Sequence, residues 1–306
     1  MRDVMCVGIG CLDVLVRGAD LSAPFQGEAK NCDRVALEMG GDAVNQAVTL
    51  RRLGVDAGLI TGLGRDEAGT LILEGLRQEK VPTGDLVLSG GRTRINVILI
   101  DSDGQRHFLH EGAPASASLF APPVPQAKII SIGSLLAPPF LTPEAIEDFT
   151  ARCRESGALV CADVMCNGPL YPLERLRGGL SHLDYFFPNQ EEAALLTGKK
   201  DLDAMVDDLL ACGIGHVVIK TGRSGCYAAT PSERMAVPAV PARVLDTTGA
   251  GDNFLSGFLC ALLEGRGLYD CCRFAAATAA LAISQVGASG AVGSREEVDA
   301  LLRKIS

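Results

Sequence analysis

Residues 246–258 read DTTGAGDNFLSGF, a small glycine-rich turn that runs directly into an apolar helical segment. The first turn of a helix leaves backbone N–H groups without partners, and the helix dipole adds partial positive charge there. The stretch therefore predicts a site for a phosphate group or a developing oxyanion. A plainer interpretation is also open, in which Asp252 only favours the helix dipole and Asp246 only stabilises the turn.

Phosphoryl transfer is the interpretation that explains the acid inside this turn. Asp252 would take a proton from an attacking hydroxyl, while the amides of Gly249, Ala250 and Gly251 would hold the moving phosphoryl group. The sequence thus predicts a catalytic base and an anion hole within four consecutive residues.

A second glycine pair opens a helix at residues 40–45, which read GGDAVN. The amide of Asn45, one turn inside this helix, can point back over Gly41 and hold a polyhydroxylated ligand. An ordinary helix N-terminus, with Asp42 as favourable charge in the first turn, explains the same residues.

Composition limits the classes of protein that remain. The 306 residues include 35 glycines, well above the usual roughly 7%, and 47% are hydrophobic, which excludes a disordered chain. The net charge is −9, and nucleic-acid binding depends on Lys and Arg that neutralise phosphates, so we expect no nucleic-acid partner. A glycine-rich acidic chain instead raises the question whether anions meet backbone amides.

The cysteines and the apolar runs indicate the compartment. Eleven cysteines occur without a CxxC pair, as expected for reduced residues that serve as small apolar side chains. The N-terminus lacks a signal-peptide pattern, and no apolar run approaches about 18 residues. We therefore expect a cytoplasmic protein that does not associate with membranes.

Hydrophobic periodicity predicts an α/β fold. From residue 128 onward, buried-strand patterns alternate with helical patterns, which is typical of a mostly parallel, doubly wound sheet. Three helices are predicted at the end of the chain, over 250–263, 268–285 and 295–304. A hairpin over 94–109, with strands near 12–16 and 34–38, predicts a small sheet apart from the core.

Five motifs in order resemble those of the ribokinase-like (PfkB-type) carbohydrate kinase family. GGDAVNQA (41 is its second glycine) and DTTGAGDNFLSGF are similar to its N-terminal and C-terminal signatures. Between them lie GLGRDEAG at 62–69, NQEE at 189–192 and KTGRSG at 220–225. Each motif is weak alone, but five in order are strong evidence, and the resemblance covers residues 4 to about 303.

The resemblance implies an architecture and an assembly. The expected fold is a single three-layer α/β/α domain over residues 1–306, with a mostly parallel central sheet. Segments at about 12–17, 33–39 and 92–110 would form a small β-sheet lid over the sugar. Because lids of this family often pair, a homodimer through the lid is also implied.

The resemblance also implies roles for individual residues. Asp252 falls on the catalytic base and Gly249, Ala250 and Gly251 on the anion hole. The positions that correspond to sugar contacts are Asp13, Gly41, Asn45 and, by a looser alignment, Glu111. The positions that correspond to the nucleotide side are Asn189, Glu192, Lys220, Thr221, Gly222 and Gly225. ATP and Mg²⁺ follow as expected ligands, with Glu192 acting on Mg²⁺ through water and Asp246 as a ligand for K⁺.

Three departures from the family pattern bear on specificity. Asp42 stands where many ribokinases carry Lys, which argues against a phosphorylated sugar. Ala276 stands where an adenine-contacting Asn is frequent, so the choice of nucleotide base stays open. Ala291 replaces a Ser found in members that bind a monovalent cation, so activation by K⁺ stays open as well.

Other motifs are weaker. Gly8 and Gly10 follow a strand, but Asp13 stands where a dinucleotide-binding motif has its third glycine. No P-loop pattern occurs. The four histidines lack metal-ligand spacing; His107 and His110, like Arg106, are either solvated strand residues or substrate contacts.

The sequence therefore predicts an ATP-dependent kinase that phosphorylates a hydroxymethyl group of a small sugar, ribose-like, fructose-like or a sugar acid. Two alternatives remain: a nucleoside kinase of the same fold, or a catalytically silent sugar-binding regulator. The absence of Trp and the presence of only 4 Tyr disfavour a slot for a nucleobase. Asp252 and its glycine turn disfavour the silent alternative.

Overall fold

The computed structural model describes residues 1–18, 29–101, 106–110, 120–166, 171–285 and 292–305. In these ranges the strands are β1 Arg2–Val7, β2 Cys11–Arg17, β3 Arg34–Gly40, β4 Ala57–Ile60, β5 Gly62–Gly64, β6 Val87–Ser89, β7 Arg94–Ile100, β8 Arg106–His110, β9 Ala127–Leu135, β10 Leu159–Val164, β11 Tyr185–Phe186, β12 His216–Lys220, β13 Cys226–Ala229 and β14 Arg234–Val237. The helices are α1 Asp42–Arg52, α2 Glu67–Gln78, α3 Pro143–Glu155, α4 Leu173–Leu180, α5 Gln190–Thr197, α6 Leu202–Leu210, α7 Ala250–Leu263, α8 Leu268–Ile283 and α9 Arg295–Ile305.

The central sheet has the strand order β14-β13-β12-β11-β10-β9-β1-β4. From β12 to β4 all neighbouring strands pair in parallel. At the other edge, β13 pairs antiparallel with both of its neighbours, β12 and β14. Successive side chains of β1 alternate between two cores: Val4 and Cys6 pack on one face, and Met5 and Val7 on the other. A sheet that is apolar on both faces must be covered by helices on both faces.

The helices divide between the two faces as this argument requires. Apolar residues of α1, α2, α7, α8 and α9 pack into one core, and those of α3, α4, α5 and α6 pack into the other. The predicted three-layer α/β/α fold with a mostly parallel sheet is therefore confirmed.

A separate sheet of four strands has the order β3-β2-β7-β8, and we call it the small sheet. It contains the segments in which the sequence predicts a lid. Strand β2 pairs antiparallel with β3 and parallel with β7, and β7 pairs antiparallel with β8. The hairpin turn predicted at 101–104 lies largely outside the described residues.

The sequence analysis does not predict α4. Gly178 and Gly179 lie inside this helix, and glycine is a poor helix former. Packing against α3 stabilises the helix instead: Leu176 and Leu180 are buried, and the Thr150 hydroxyl donates to the Gly179 carbonyl over 3.1 Å. Tertiary contacts thus override local propensity at this element.

Two further sequence expectations can be compared with the structure. All eleven cysteines are free thiols, as expected for reduced side chains. Among the described residues, no helix combines the length and the apolar character that crossing a bilayer requires.

The contact between α7 and α8 generates the first prediction. A Cβ atom on Gly257 would lie 2.8 Å from the Cβ of Thr278 and 3.0 Å from the Cα of Ala275, on the facing helix. We expect Gly257→Ala to lower the free energy of unfolding by about 1–3 kcal/mol through overpacking, although alanine favours helices by about 1 kcal/mol. Urea denaturation measures the change.

Gly75→Ala in α2 is the matched control. A Cβ there meets only the end of the Met39 side chain, which is flexible and can move aside. This variant should be as stable as the parent or more stable. Equal stability losses for the two substitutions would contradict the close-packing argument.

Candidate active site

A cavity of about 690 Å³ lies between the small sheet and the central sheet. The ends of several parallel strands open into it: Ser134 lies near the end of β9, Asp163 near the end of β10, and Lys220 at the end of β12. The carboxyl ends of parallel strands are where open α/β sheets bind ligands. The following sequence-predicted site residues line this one cavity: Asp13, Gly41, Asn45, Asn189, Glu192, Lys220, Gly249, Ala250, Gly251 and Asp252.

The glycine turn forms the start of α7. Gly249 takes a φ of +68°, which favours glycine, and the helix begins at Ala250 without a side-chain cap. The Ala250 N–H donates to the Thr247 carbonyl over 3.3 Å, while no side chain caps the other N–H groups of this first turn, and residues 247–252 all line the cavity. This geometry is suited to binding an anion.

Asp252 is connected to the other glycine-led helix. Its Oδ2 accepts a hydrogen bond from Asn45 Nδ2 over 2.8 Å. Burial, together with the negative charges of Asp42 and Asp163, raises the pKa of Asp252 to about 7, despite the Asn45 bond and Lys220. A carboxylate with a pKa near neutrality is well matched to accepting a proton at physiological pH.

Asp42 does more than provide charge in the first turn of α1. Its Oδ1 accepts hydrogen bonds from the backbone N–H of Ile9, over 2.7 Å, and of Ala43, over 2.5 Å. Burial raises its pKa to about 6. Gly41 precedes it with a φ of +98°, and a Cβ there would collide with the Ile9 carbonyl. Both residues are thus required by the close approach of α1 to the end of β1.

Asp163 is a cavity residue that the sequence analysis missed. It forms an ion pair with Lys220, and both side chains are largely buried. Burial raises the pKa of Asp163, while the Lys220 charge opposes that rise. The pair lies beside the glycine turn, since a Cβ on Gly251 would be 3.2 Å from Lys220 Nζ. One feature of the sequence could have indicated Asp163 as a site residue: it stands at the end of a predicted strand.

Asn189 and Glu192 form a capping box at the start of α5. Asn189 Oδ1 accepts from the Glu192 N–H, and Glu192 Oε2 accepts from the Asn189 N–H, each over 2.8 Å. Burial and the Asp163 charge raise the pKa of Glu192 to about 7. Local helix geometry therefore accounts for this sequence motif, and the same two side chains also line the cavity.

Three further residues that the resemblance assigns to the nucleotide side are Thr221, Gly222 and Gly225. Thr221 and Gly222 line a second cavity of about 760 Å³, which shares Asn189 and Lys220 with the first. Gly225 ends a short 3-10 turn with a φ of +101°, and a Cβ there would collide with the backbone after β14. The turn itself therefore requires glycine at 225.

Asp246 lies directly before the glycine turn, and contacts on both sides fix its carboxylate. Its Oδ1 accepts from the N–H and the hydroxyl of Thr248, over 2.8 and 2.7 Å. Its Oδ2 lies 3.7 Å from Nη2 of Arg17, on strand β2 of the small sheet. Asp246 thus connects the small sheet to the start of α7.

Two residues of the small sheet, Arg94 and Asn96, contribute polar groups that the sequence analysis did not assign, and His110, for which a substrate contact was left open, lines the same cavity. Register places Asp13 of β2 opposite Asn96 of β7, and Asn96 opposite His110 of β8. Asn96 Nδ2 donates to Asp13 Oδ1 over 2.8 Å, and its Oδ1 lies 3.0 Å from His110 Nδ1. Arg94, two residues earlier on β7, lines the cavity as well. Burial raises the pKa of Asp13.

Some sequence expectations cannot be compared with the geometry. Glu111, the fourth predicted sugar contact, and Ala291 lie outside the described residues. Ala276 is described and is buried within α8. Among the described residues, no group of three or more His, Cys, Asp or Glu side chains is arranged to hold a metal ion.

Comparison with known proteins identifies the class. The chain matches the pfkB family carbohydrate kinases over residues 1–294. The ribokinase of Bacillus subtilis is 26% identical over 304 residues, covering 99% of this chain and 100% of the relative. The 2-dehydro-3-deoxygluconokinase of Bacillus subtilis is 29% identical over 281 residues, covering 86% of each chain. The structure of Arabidopsis thaliana ribokinase complexed with ribose and ATP superposes with a TM-score of 0.83 at 27% identity, covering 99% of each chain.

The fold is that of the ribokinase-like α/β kinases. The chain belongs to the pfkB family of carbohydrate kinases. It is an ATP-dependent sugar kinase.

The raised pKa of Asp252 generates a stability prediction. In the folded protein this carboxyl has a pKa of about 7, above its ordinary 3.8, so the charged form is disfavoured by folding. We expect Asp252→Asn to raise the melting temperature at pH 8, where the carboxylate is charged, and to change it less at pH 5. Differential scanning calorimetry measures both values.

Glu74→Gln on α2 is the matched control, because it removes one negative charge from an exposed position. It should leave the melting temperature nearly unchanged at both pH values. A decrease in the melting temperature of Asp252→Asn at pH 8 would contradict the prediction.

Proposed function

We propose that the protein transfers the γ-phosphoryl group of ATP to a hydroxymethyl group of a small sugar, with Asp252 as the catalytic base. The observation that carries this proposal is the combination at the start of α7. A carboxylate with a pKa of about 7 follows directly after an uncapped, glycine-led helix N-terminus, inside a cavity of about 690 Å³.

In the proposed reaction, Asn45 orients Asp252 through their 2.8 Å hydrogen bond. The sugar hydroxyl donates its proton to Asp252, and its oxygen attacks the γ-phosphorus in line with the leaving ADP. The N–H groups of Gly249, Ala250 and Gly251 stabilise charge on the phosphoryl oxygens as it is transferred. Asp13 and Asn45, which both line the cavity, bind other sugar hydroxyls.

On the nucleotide side, Lys220, Thr221 and Gly222 would border the phosphates and the adenosine, since they line the first or second cavity. Mg²⁺ bound with ATP neutralises phosphate charge. Glu192, whose Oε2 already caps α5, would act on that ion through a water ligand. Gly225 contributes by shaping the turn.

The role of K⁺ is a separate proposal. Asp246 would hold a monovalent cation near the start of α7 together with backbone carbonyls. In the structure the Arg17 guanidinium already lies 3.7 Å from its Oδ2. Comparing rates in KCl and in tetramethylammonium chloride measures whether a cation adds to the charge that Arg17 supplies.

The small sheet would act as a lid and pair with a second copy of this chain. Its face turned away from the cavity carries Val35 and Leu37 of β3 and Leu109 of β8, which are 57%, 56% and 58% exposed. Neighbouring positions on this face, Val14, Val97 and Leu99, are also apolar. An exposed apolar face of this kind is typical of a protein interface.

The experiment that tests the function measures ADP release with a panel of pentoses, hexoses, sugar acids and nucleosides. We expect turnover with at least one sugar or sugar acid. Turnover with nucleosides only would favour a nucleoside kinase. Tight sugar binding without turnover of any compound would favour a silent regulator.

Asp252→Asn tests the assignment of the base. Removing a general base typically costs about 10²–10⁴-fold, so kcat should fall by at least that order. The Kd of the sugar should change little, because the Asn side chain can still accept from Asn45. Steady-state kinetics and calorimetric binding measure the two quantities, and full retained activity would reject the assignment.

The pKa values also predict a pH profile. Asp252 must be deprotonated to act as a base, so kcat/KM should rise with pH through about 7 and level off above it. Asp42→Asn removes a negative charge that raises the pKa of Asp252, so its profile should shift to lower pH. Unshifted profiles for this variant would contradict the proposed coupling, and Glu74→Gln serves as the control.

Leu37→Glu tests the interface. A charge on the apolar face of the small sheet should convert a dimer to a monomer, as measured by sedimentation velocity. Leu195→Glu is the matched control, because this leucine of α5 is 54% exposed and far along the chain from the small sheet. A monomeric parent protein, or loss of the dimer in both variants, would reject pairing through this face.

A further inference from the structure

Arg94 is a cation in the cavity that the proposed reaction does not use. Among the described lining residues, the side chains that carry a permanent positive charge are Arg94 and Lys220. Lys220 is paired with Asp163. Within the described part of the chain, Arg94 makes one side-chain hydrogen bond, from Nε to Asn96 Oδ1 over 3.2 Å, and no ion pair.

The bond to Asn96 orients the guanidinium. Because Nε is engaged, the four N–H groups on Nη1 and Nη2 remain for another acceptor. Two parallel N–H groups of a guanidinium match the two oxygens of a carboxylate, and such bidentate pairs are stronger than neutral hydrogen bonds. The partly buried Arg94 is thus preorganised for a planar anion.

The neighbours of Arg94 are the polar residues of the small sheet. It lies opposite Cys11 on β2, and its charge lowers the pKa of Asp13 and of His110. Asp13 is in turn bonded to Asn96 and to the Cys11 thiol. Arg94 therefore belongs to the side of the cavity where the sugar is expected, while the glycine turn and Lys220 belong to the nucleotide side.

We propose that Arg94 binds a carboxylate of the substrate, so that the preferred substrate is a sugar acid. This inference rests on the proposed function and narrows its substrate class. The carboxylate pairs with the guanidinium, while Asp13 accepts hydrogen bonds from hydroxyls of the same molecule. The hydroxymethyl group at the other end of the molecule then faces Asp252.

The charged side chains of the cavity favour a substrate with one carboxylate over a substrate with a phosphate ester. Asp13, Asp42 and Asp252 all line it, and each would repel an anion. One cation without an ion pair balances one carboxylate, whereas a phosphate ester carries close to two negative charges at neutral pH. The relatives do not choose between the classes, because one is a ribokinase and another a 2-dehydro-3-deoxygluconokinase at similar identity.

The experiment compares matched substrates that differ only at the carboxylate. 2-Dehydrogluconate is paired with fructose, and gluconate with glucitol, each measured for kcat/KM with ATP. We expect the parent protein to favour the acid of at least one pair by more than tenfold. In Arg94→Gln the ratio of acid to neutral sugar should fall roughly 10²-fold, mainly through KM of the acid. Arg94→Lys should fall between the two, because it keeps the charge and loses the bidentate geometry.

Arg303→Gln on α9 is the control, since it removes one positive charge from an exposed helix and should leave the ratio unchanged. An unchanged ratio in Arg94→Gln, or a parent that prefers both neutral sugars, would overturn the proposal. A fall in kcat that is equal for acid and neutral sugars, with a higher KM for ATP, would assign Arg94 to the transferred phosphoryl group and would also overturn it.

Calorimetric binding separates this inference from the proposed function. Asp252→Asn, which should not turn over, is titrated with 2-dehydrogluconate and with fructose, with and without Arg94→Gln. Binding of the acid that depends on Arg94, without turnover by the parent protein, would support the carboxylate contact and reject the kinase mechanism. Turnover by the parent with no binding preference for the acid would do the reverse.

Discussion

The contact between α1 and the N-terminal half of α7 is the constraint on which the site depends. Asn45 donates to Asp252, Thr49 donates to Asn253, and the Ser256 hydroxyl donates to the Gln46 carbonyl, over 2.8, 2.9 and 3.3 Å. Asn253 also donates to the Gly249 carbonyl over 2.8 Å, so the same contact holds the glycine turn. The two glycine-led helices, about 200 residues apart in sequence, thus meet in one fixed register.

This register also concentrates negative charge. The charge of Asp163 raises the pKa of Asp42, and the charges of Asp42 and Asp163 raise the pKa of Asp252. The only described lysine that lines their cavity is Lys220. The free-energy cost of burying these groups fits a site where function, rather than stability, selects the residues. Under the proposed function, a chain of net charge −9 would bind ATP because the anion would meet backbone N–H groups and a helix dipole, so few cationic side chains would be needed.

Much of the fold could be predicted because its signals are local. The apolar runs of β1, β9 and β10, the glycines that open α1 and α7, and the alternation of strands and helices all follow from short-range periodicity. Helix α4 could not be predicted, because packing on α3 outweighs the low helix propensity of its two glycines. The capping box of Asn189 and Glu192 shows the opposite case, in which a motif that resembles the family's and a local helix signal coincide.

The sequence by itself determined the fold class, the sugar-kinase family and the two glycine-led helix starts at residues 40–45 and 246–252, because each depends on residue types at short spacings. Only the tertiary structure decided that Asp163 pairs with Lys220, and that Arg94, Asn96 and Asp13 share one face of the small sheet. Strand register and the approach of separate elements set these contacts. The physical reason is that helix and strand periods repeat over a few residues and can be seen in the sequence. Two residues that contact each other across separate elements can lie any number of residues apart, so their spacing along the chain does not indicate the contact.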